Sequence, residues 1–377
     1  MTLRTILLLV LLAALAGCKS SERTKEDLLK DSGEQANAIE DRELYWYQRG
    51  ADSTKAIWAK FRLSKDVALL MDGNGGDAPS FGFSTHVFCL LLDNVSTFWR
   101  KDLAAEAVSA YFGDFSAVYS DRSTNACNDE VLNWAIACVR ASRTTGDKKY
   151  LDEASKLYEG LWLSQVDNAL GGGMWHRRDE KTSKSASANF YAVIAALSLY
   201  HATQDVKYLL QGRRLYKWAT ECMFDPLTGA VREGLSADGS RSDGESAGTA
   251  GAFIGASMRL YRATGSAIYL SNAKKAADRI IGASGSHETV RCAKSVAEGL
   301  PNGIAMRYLS ELARRPGCEK YRDYILANAR SAWTSRRLSD GLNGPDWTKP
   351  PLCDDTVRPQ HAVSAAILYM SASRACR

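Results

Sequence analysis

The sequence has little histidine, no block of like charge and no second long apolar run. Its net charge of +5 is spread along 377 residues. The concentrated basic face of a nucleic-acid-binding protein is missing, so no nucleic-acid partner is expected. There are five histidines, and the nine cysteines stand too far apart for a zinc motif. No metal or organic cofactor is expected. The glycine run Gly171-Gly172-Gly173 is not followed by Lys-Ser/Thr at the spacing a phosphate loop needs. Ser183, Ser185 and Ser187 lack the setting of a nucleophile elbow. No segment reads as the core of a sheet, which leaves room only for short strands in loops.

What is present begins with an export signal. Arg4 precedes a short apolar core from Ile6 to Leu15, too short for a comfortable membrane span. Leu15-Ala16-Gly17-Cys18 then has the pattern of a bacterial lipobox. That resemblance implies cleavage before Cys18, lipidation of its thiol and a membrane anchor in the cell envelope. Lys19 in place of Asp gives no inner-membrane retention cue, so an outer-membrane or surface location is expected. Residues 1–17 are therefore read as the signal peptide and 18–37 as a polar tether. Residues 38–377 form one domain, expected to be monomeric. Eight cysteines remain once Cys18 is set aside, an even number that permits disulfides of unspecified pairing. Cys89 and Cys138 sit inside apolar helical stretches and read as buried free thiols.

The domain repeats itself. Thr145-Gly146-Asp147-Lys148-Lys149-Tyr150-Leu151 has echoes in Thr203-Gln204-Asp205-Val206-Lys207-Tyr208-Leu209 and Thr264-Gly265-Ser266-Ala267-Ile268-Tyr269-Leu270. A fainter copy starts at Pro316. The interval is about 50 to 60 residues, a little longer than the common helical solenoid repeats. Each copy joins an Ala-rich helix, apolar on most faces, to an amphipathic one. The leading helices are expected near 131–143, 188–201, 251–263 and 303–312. In the first trailing helix Leu151, Ala154, Leu157, Tyr158 and Leu161 share a stripe while Asp152, Glu153, Lys156 and Glu159 face away. A helix apolar nearly all round must be covered on both sides, whereas an amphipathic one covers the outside. Inner and outer rings satisfy both patterns. About twelve helices are expected, with Gly50 a candidate break in the first, making six hairpins. The fold class is all-α, an (α/α)6 barrel, with an open solenoid as the architectural alternative. Long loops fall only between a trailing helix and the next leading one, at 166–184, 225–245, 283–300 and 338–359. Elaborated loops on one rim and plain turns on the other predict a funnel with its mouth on the elaborated side.

Asn128, Asp129 and Glu130 open a leading helix and so belong at that mouth. Asn as cap with two acids behind it suits any helix N-terminus. The same two carboxylates in a cleft are also what glycoside hydrolysis requires, one to attack or activate water and one to protonate the leaving sugar. Adjacent helical residues point about 100° apart, so the pair would approach a bond from two directions. Burial and mutual repulsion would have to raise one of them against the helix dipole. Trp175, after the glycine run, and Trp347, in Gly344-Pro345-Asp346-Trp347, offer flat faces at the mouth for a sugar ring, and Asn189 offers a cap or a hydroxyl partner. His86 reads as a core residue.

Taken in order, several segments are similar to the endo-α-1,6-mannanase family (glycoside hydrolase family 76). They are Asn128-Asp129-Glu130-Val131-Leu132-Asn133-Trp134, Gly171-Gly172-Gly173-Met174-Trp175, Ser187-Ala188-Asn189 and Phe224-Asp225-Pro226-Leu227-Thr228-Gly229. Gly251-Ala252-Phe253-Ile254-Gly255, Arg307-Tyr308-Leu309 and Gly341-Leu342-Asn343-Gly344-Pro345-Asp346-Trp347 continue the series. The resemblance implies an (α/α)6 barrel and retaining hydrolysis of α-1,6-linked mannan or a related surface glycan. It makes Asp129 the nucleophile and Glu130 the acid/base. Trp134, Trp175, Asn189 and Trp347 are the candidate sugar contacts. The chain departs from the family pattern at Glu130, where a second Asp is expected, and at Asn133, His176, Thr249-Ala250 and Asn302. These departures leave a second reading, a non-catalytic glycan-binding lipoprotein. A third is a related barrel enzyme acting on unsaturated glucuronides, for which Arg177, Arg178 and Arg232 are the acidic-sugar candidates.

Overall fold

The computed structural model describes residues 43–96, 101–283, 296–351 and 357–377. The expected signal peptide, the tether, Cys18, Cys292 and Cys353 lie outside these residues. Twelve α-helices occur among the described residues. They are α1 (Glu43–Phe61), α2 (Phe81–Val95), α3 (Lys101–Val118), α4 (Asn128–Thr145), α5 (Lys148–Gln165) and α6 (Ala186–Thr203). They continue as α7 (Val206–Met223), α8 (Ala247–Thr264), α9 (Ala267–Ala283), α10 (Val296–Ala313), α11 (Glu319–Ser335) and α12 (Pro359–Ala375). Two short strands, β1 (Ser183–Ser185) and β2 (Gly234–Ser236), pair antiparallel with Lys184 opposite Leu235.

The even-numbered helices form an inner ring, each packed on the next, with α12 returning to α2. The odd-numbered helices from α3 to α11 each cover the inner helix before them. The first helix, α1, lies against the last, α12. This circular closure makes the fold an (α/α)6 toroid and rules out the open solenoid. Helix α1 is continuous through Gly50, which sits against Met370 of α12 instead of breaking the helix.

The two helix types follow from their patterns. Inner helix α6 is buried almost throughout from Ala186 to Leu199. Outer helix α5 buries one stripe of Tyr150, Ala154, Leu157, Tyr158 and Leu161. The repeated Thr-Gly-Asp segment is the hairpin turn itself. Gly146 stops α4 in the left-handed region (φ 77°), and Asp147 caps α5 by accepting from the Lys149 N–H at 2.9 Å. Gln204 and Asp205 do the same between α6 and α7, with Asp205 accepting from the Lys207 N–H at 2.9 Å. The short turns share one rim and the long loops the other, where every inner helix begins. Strands β1 and β2 join two of those loops beside the start of α6. Among the described residues Cys89, Cys127, Cys138, Cys222 and Cys318 are free thiols, and Cys89, Cys138 and Cys318 are buried. No described helix is long and apolar enough to cross a membrane.

Candidate active site

Asp129 and Glu130 occupy the first turn of α4, partly exposed on the rim of long loops. The helix is not capped by Asn128. Cys127 holds the cap position without a side-chain capping bond. Buried Asn128 instead donates from Nδ2 to the Trp175 carbonyl at 2.8 Å, and its backbone N–H donates to the His176 carbonyl at 2.9 Å. It fastens the glycine loop to the base of the carboxylate pair.

Each carboxylate has its own partner. Asp129 Oδ2 accepts from Ser187 Oγ at 2.9 Å, and Oδ1 accepts from the Glu130 N–H at 3.0 Å. Ser187 lies in the first turn of α6, and its Oγ is 3.2 Å from Ser185 Oγ. Ser185 caps α6 and lies 2.9 Å from His176 Nδ1. A chain of hydroxyls thus runs from the imidazole to Asp129. Glu130 Oε2 accepts from Asn125 Nδ2 at 3.0 Å. Its other oxygen faces Gly82 in the first turn of α2, where a Cβ would stand only 2.5 Å from Oε1. The missing side chain at Gly82 makes the space into which the longer acid extends. Burial raises the Glu130 carboxyl above its ordinary value, the charge of Asp129 adds to the rise, and the Asn125 hydrogen bond works against it. A carboxyl raised in this way keeps its proton closer to neutral pH, as a general acid must.

The four expected sugar contacts are placed differently. Trp134 is fully buried, stacked on Phe115 at 3.8 Å and on Phe88 at 5.1 Å between α2, α3 and α4. It is core, because the face of α4 that carries it points away from the ring axis. Asn189 is also fully buried: Oδ1 accepts from the Met174 N–H at 2.8 Å, and Nδ2 donates to the Met174 and Ser185 carbonyls. It is neither a cap nor open to a sugar. Trp175 is 5% exposed and donates from Nε1 to Asp167 at 2.7 Å. Trp347 is 4% exposed, and its carbonyl accepts from Ser331 and Ser335. Both loop tryptophans are packed into the rim.

The glycine loop gathers around a buried cation. Lys184 Nζ, fully buried, donates to Asp167 Oδ1 at 2.7 Å and to the carbonyls of Ala169, Gly172 and Gly173. Burial lowers the Lys184 ammonium. Burial would raise Asp167, but the bonds from Lys184 and Trp175 hold it down to about 2. Gly173 has φ 81° and lies flat on the Trp218 ring, so a side chain there meets both strain and a clash. Sequence reasoning missed Ser187, Asn125, Gly82 and Lys184. The Ser-x-Ser step into α6 and a glycine inside the first turn of an apolar helix were the signals available.

The profile of glycosyl hydrolase family 76 matches residues 89–372. The chain belongs to glycosyl hydrolase family 76. Solved structures agree at the level of fold. The GH76A α-1,6-mannanase of Salegentibacter sp. HEL1_6 superposes with a TM-score of 0.80 at 24% identity, covering 88% of this chain and 100% of that one. A variant of the same enzyme with two aspartates changed to asparagine, inactive and in complex with α-1,6-mannotriose, aligns equally well, with a TM-score of 0.80 at 24% identity and coverage of 88% and 100%. The Lin0763 protein of Listeria innocua gives 0.79 at 23% identity, covering 87% of this chain and 96% of that one. No curated protein matches the sequence. In this family-76 chain two of the departures from the family pattern lie close to the pair. Asn133 is one helical turn below Asp129 and nearly buried, and His176 ends the hydroxyl chain to Asp129.

Proposed function

We propose that this protein is a retaining glycoside hydrolase acting on α-1,6-linked mannan or a related surface glycan. The observation that carries the reading is the pairing, at one helix start, of a hydroxyl-bonded Asp129 with a Glu130 raised by burial and by its neighbour's charge. Membership of family 76 supports it, as does the mannotriose complex of the Salegentibacter variant, inactive with two aspartates replaced.

In this mechanism an Asp129 carboxylate oxygen attacks the anomeric carbon while Glu130 passes its proton to the glycosidic oxygen. The C–O bond to the leaving sugar breaks and a glycosyl ester to Asp129 forms. Water then attacks the same carbon, giving its proton to the Glu130 carboxylate and releasing Asp129. The Ser187 hydroxyl orients the attacking carboxylate, and the space at Gly82 lets a glutamate serve where the family pattern has aspartate. The location is part of the proposal: lipidation at Cys18 would hold the enzyme in the cell envelope, facing a polymeric substrate.

The departures from the family pattern beside the pair, Asn133 and His176, support a second reading, a glycan-binding protein without turnover. Incubating the protein with α-1,6-mannan separates the two. Release of reducing ends, abolished in Asp129→Asn and Glu130→Gln, is the expected result. Retention of mannan by the wild type without any release establishes the binding protein instead.

A further inference from the structure

The interior of the barrel below the carboxylate pair contains a second, differently built site. A cavity of about 470 Å³ begins one turn below Asp129, at Asn133, Tyr191 and His86, and runs to the rim of short turns. That volume is in the usual range for a small-ligand site. Eight cationic side chains and two carboxylates line it, a formal excess of +6 in a chain whose whole net charge is +5.

The excess is concentrated where water is scarce. Asp93, on α2, is 6% exposed and accepts from three guanidiniums: Arg140 at 2.5 Å, Arg307 at 2.7 Å and Arg374 at 2.7 Å. These come from α4, α10 and α12, so one negative charge answers three positive ones. Glu311 on α10 is shared by Arg259 at 3.2 Å and Arg262 at 3.0 Å, both from α8. Arg143 and Arg314, exposed at the basal opening, have no ion pair among the described residues, and Lys101 beside them donates only to the Ser96 carbonyl. Arg307 is 7% exposed, yet its Nε has no hydrogen-bond partner, and neither has the buried Nδ1 of His86. Burial and the charge of Arg307 hold His86 at about 3, so it adds no charge of its own. Burial first, and then Arg140 and Arg307, push Arg374 below its ordinary value.

Helix dipoles do not account for this arrangement. Inner helices end at the basal rim with negative poles, but outer helices begin at the same rim with positive poles that oppose them. Buried charge without a counter-charge is strongly destabilising. Guanidinium forks match tetrahedral oxyanions, which accept several N–H bonds at once. We propose that the basal cavity is a phosphate-binding site, taking inorganic phosphate or the phosphate of a lipid headgroup on Arg307, Arg374, Arg143 and Arg314. It is separate from the carboxylate mouth and does not depend on the hydrolytic reading.

The test is calorimetric titration of the purified full-length chain with inorganic phosphate at constant ionic strength. Alongside it, the protein is floated with vesicles of phosphatidylcholine alone or with phosphatidylglycerol added. The key variant is Arg143→Ala/Arg314→Ala, whose exposed side chains carry no ion pair and can be removed without unfolding the protein. Arg213→Ala/Lys217→Ala, on the outer surface of α7, is the charge-matched control. Saturable phosphate binding, weakened roughly tenfold or more in the basal variant and unchanged in the control, supports free phosphate as the occupant. A preference for phosphatidylglycerol vesicles lost only in the basal variant, with a silent phosphate titration, supports the headgroup. Equal behaviour of wild type and basal variant with both probes overturns the site, whether both bind or neither does.

Discussion

Gly82→Ala is the change that bears most directly on how Glu130 is seated. A Cβ at this position would lie 2.5 Å from Oε1, 2.9 Å from Cδ and 3.3 Å from Cγ of Glu130, whereas ordinary contact begins at 3.4 Å. The carboxyl must therefore withdraw from Gly82 by about 1 Å, which disturbs its seat beside Asn125. Misplacing a catalytic group by about 1 Å costs on the order of 100-fold in rate, or about 2.7 kcal/mol of transition-state stabilisation. Gly82 is helical with no positive φ, so alanine should stabilise the helix itself by about 0.5 to 1 kcal/mol. Rate and helix propensity should move in opposite directions. Glu130→Asp alone should lose a similar factor, because the shorter acid no longer reaches Asn125. In the double variant Gly82→Ala/Glu130→Asp the clash is gone, so the combined loss should fall short of the product of the two by about 1 kcal/mol or more. The assay is kcat/KM for reducing-end release from α-1,6-mannan beside thermal unfolding. A Gly82→Ala enzyme with wild-type rate, or a double variant that loses the full product, would refute the reasoning.

Three further perturbations follow from the same geometry. Because Glu130 is raised above its ordinary value, kcat/KM should decline on the alkaline side with an apparent pKa above 4.5, and Asp129→Asn should lower the Glu130 value seen by carbon NMR. The sign for stability is that the contribution of protonated Glu130 is complete below 4.5 and is lost as pH rises through the raised value; Glu130→Gln should remove this dependence from denaturant melts. Lys184→Met leaves three loop carbonyls without this donor and takes from Asp167 its buried cation, with only the Trp175, Ala169 and Lys181 contacts remaining, so denaturant unfolding should show a loss of about 3 kcal/mol and Trp175 fluorescence should shift. Asp93→Asn leaves Arg140, Arg307 and Arg374 with no carboxylate among them and should cost about 3 to 5 kcal/mol in the same melts.

Much of the fold could be read in the sequence because its signals are local. A left-handed stop at Gly146 followed by the Asp147 cap marks a hairpin wherever it recurs, and the contrast between α6 and α5 separates inner from outer helices. The position of Asp129 and Glu130 at the mouth follows from their place at the start of an inner helix. The surroundings of the pair depend on distant segments and were not legible. Residue type puts Trp175 and Trp347 on rim loops but does not say which way a ring turns, and both turn inward. Trp134 shares a helix with the acids yet faces four phenylalanines, Phe81, Phe88, Phe112 and Phe115. Lys184 looks like an ordinary loop lysine until four acceptors close around it. The Asp93 hub joins residues 214 and 281 positions apart, beyond the reach of any sequence window.

The central claim, hydrolysis through an Asp129 ester with Glu130 as acid/base, is tested most directly by the anomeric form of the first product. Proton NMR during the first minutes of α-1,6-mannan cleavage distinguishes the α-anomer from the β-anomer before mutarotation mixes them. The α-anomer should appear first, and Asp129→Asn should release nothing. A β-anomer first, or undiminished release by Asp129→Asn, would contradict it.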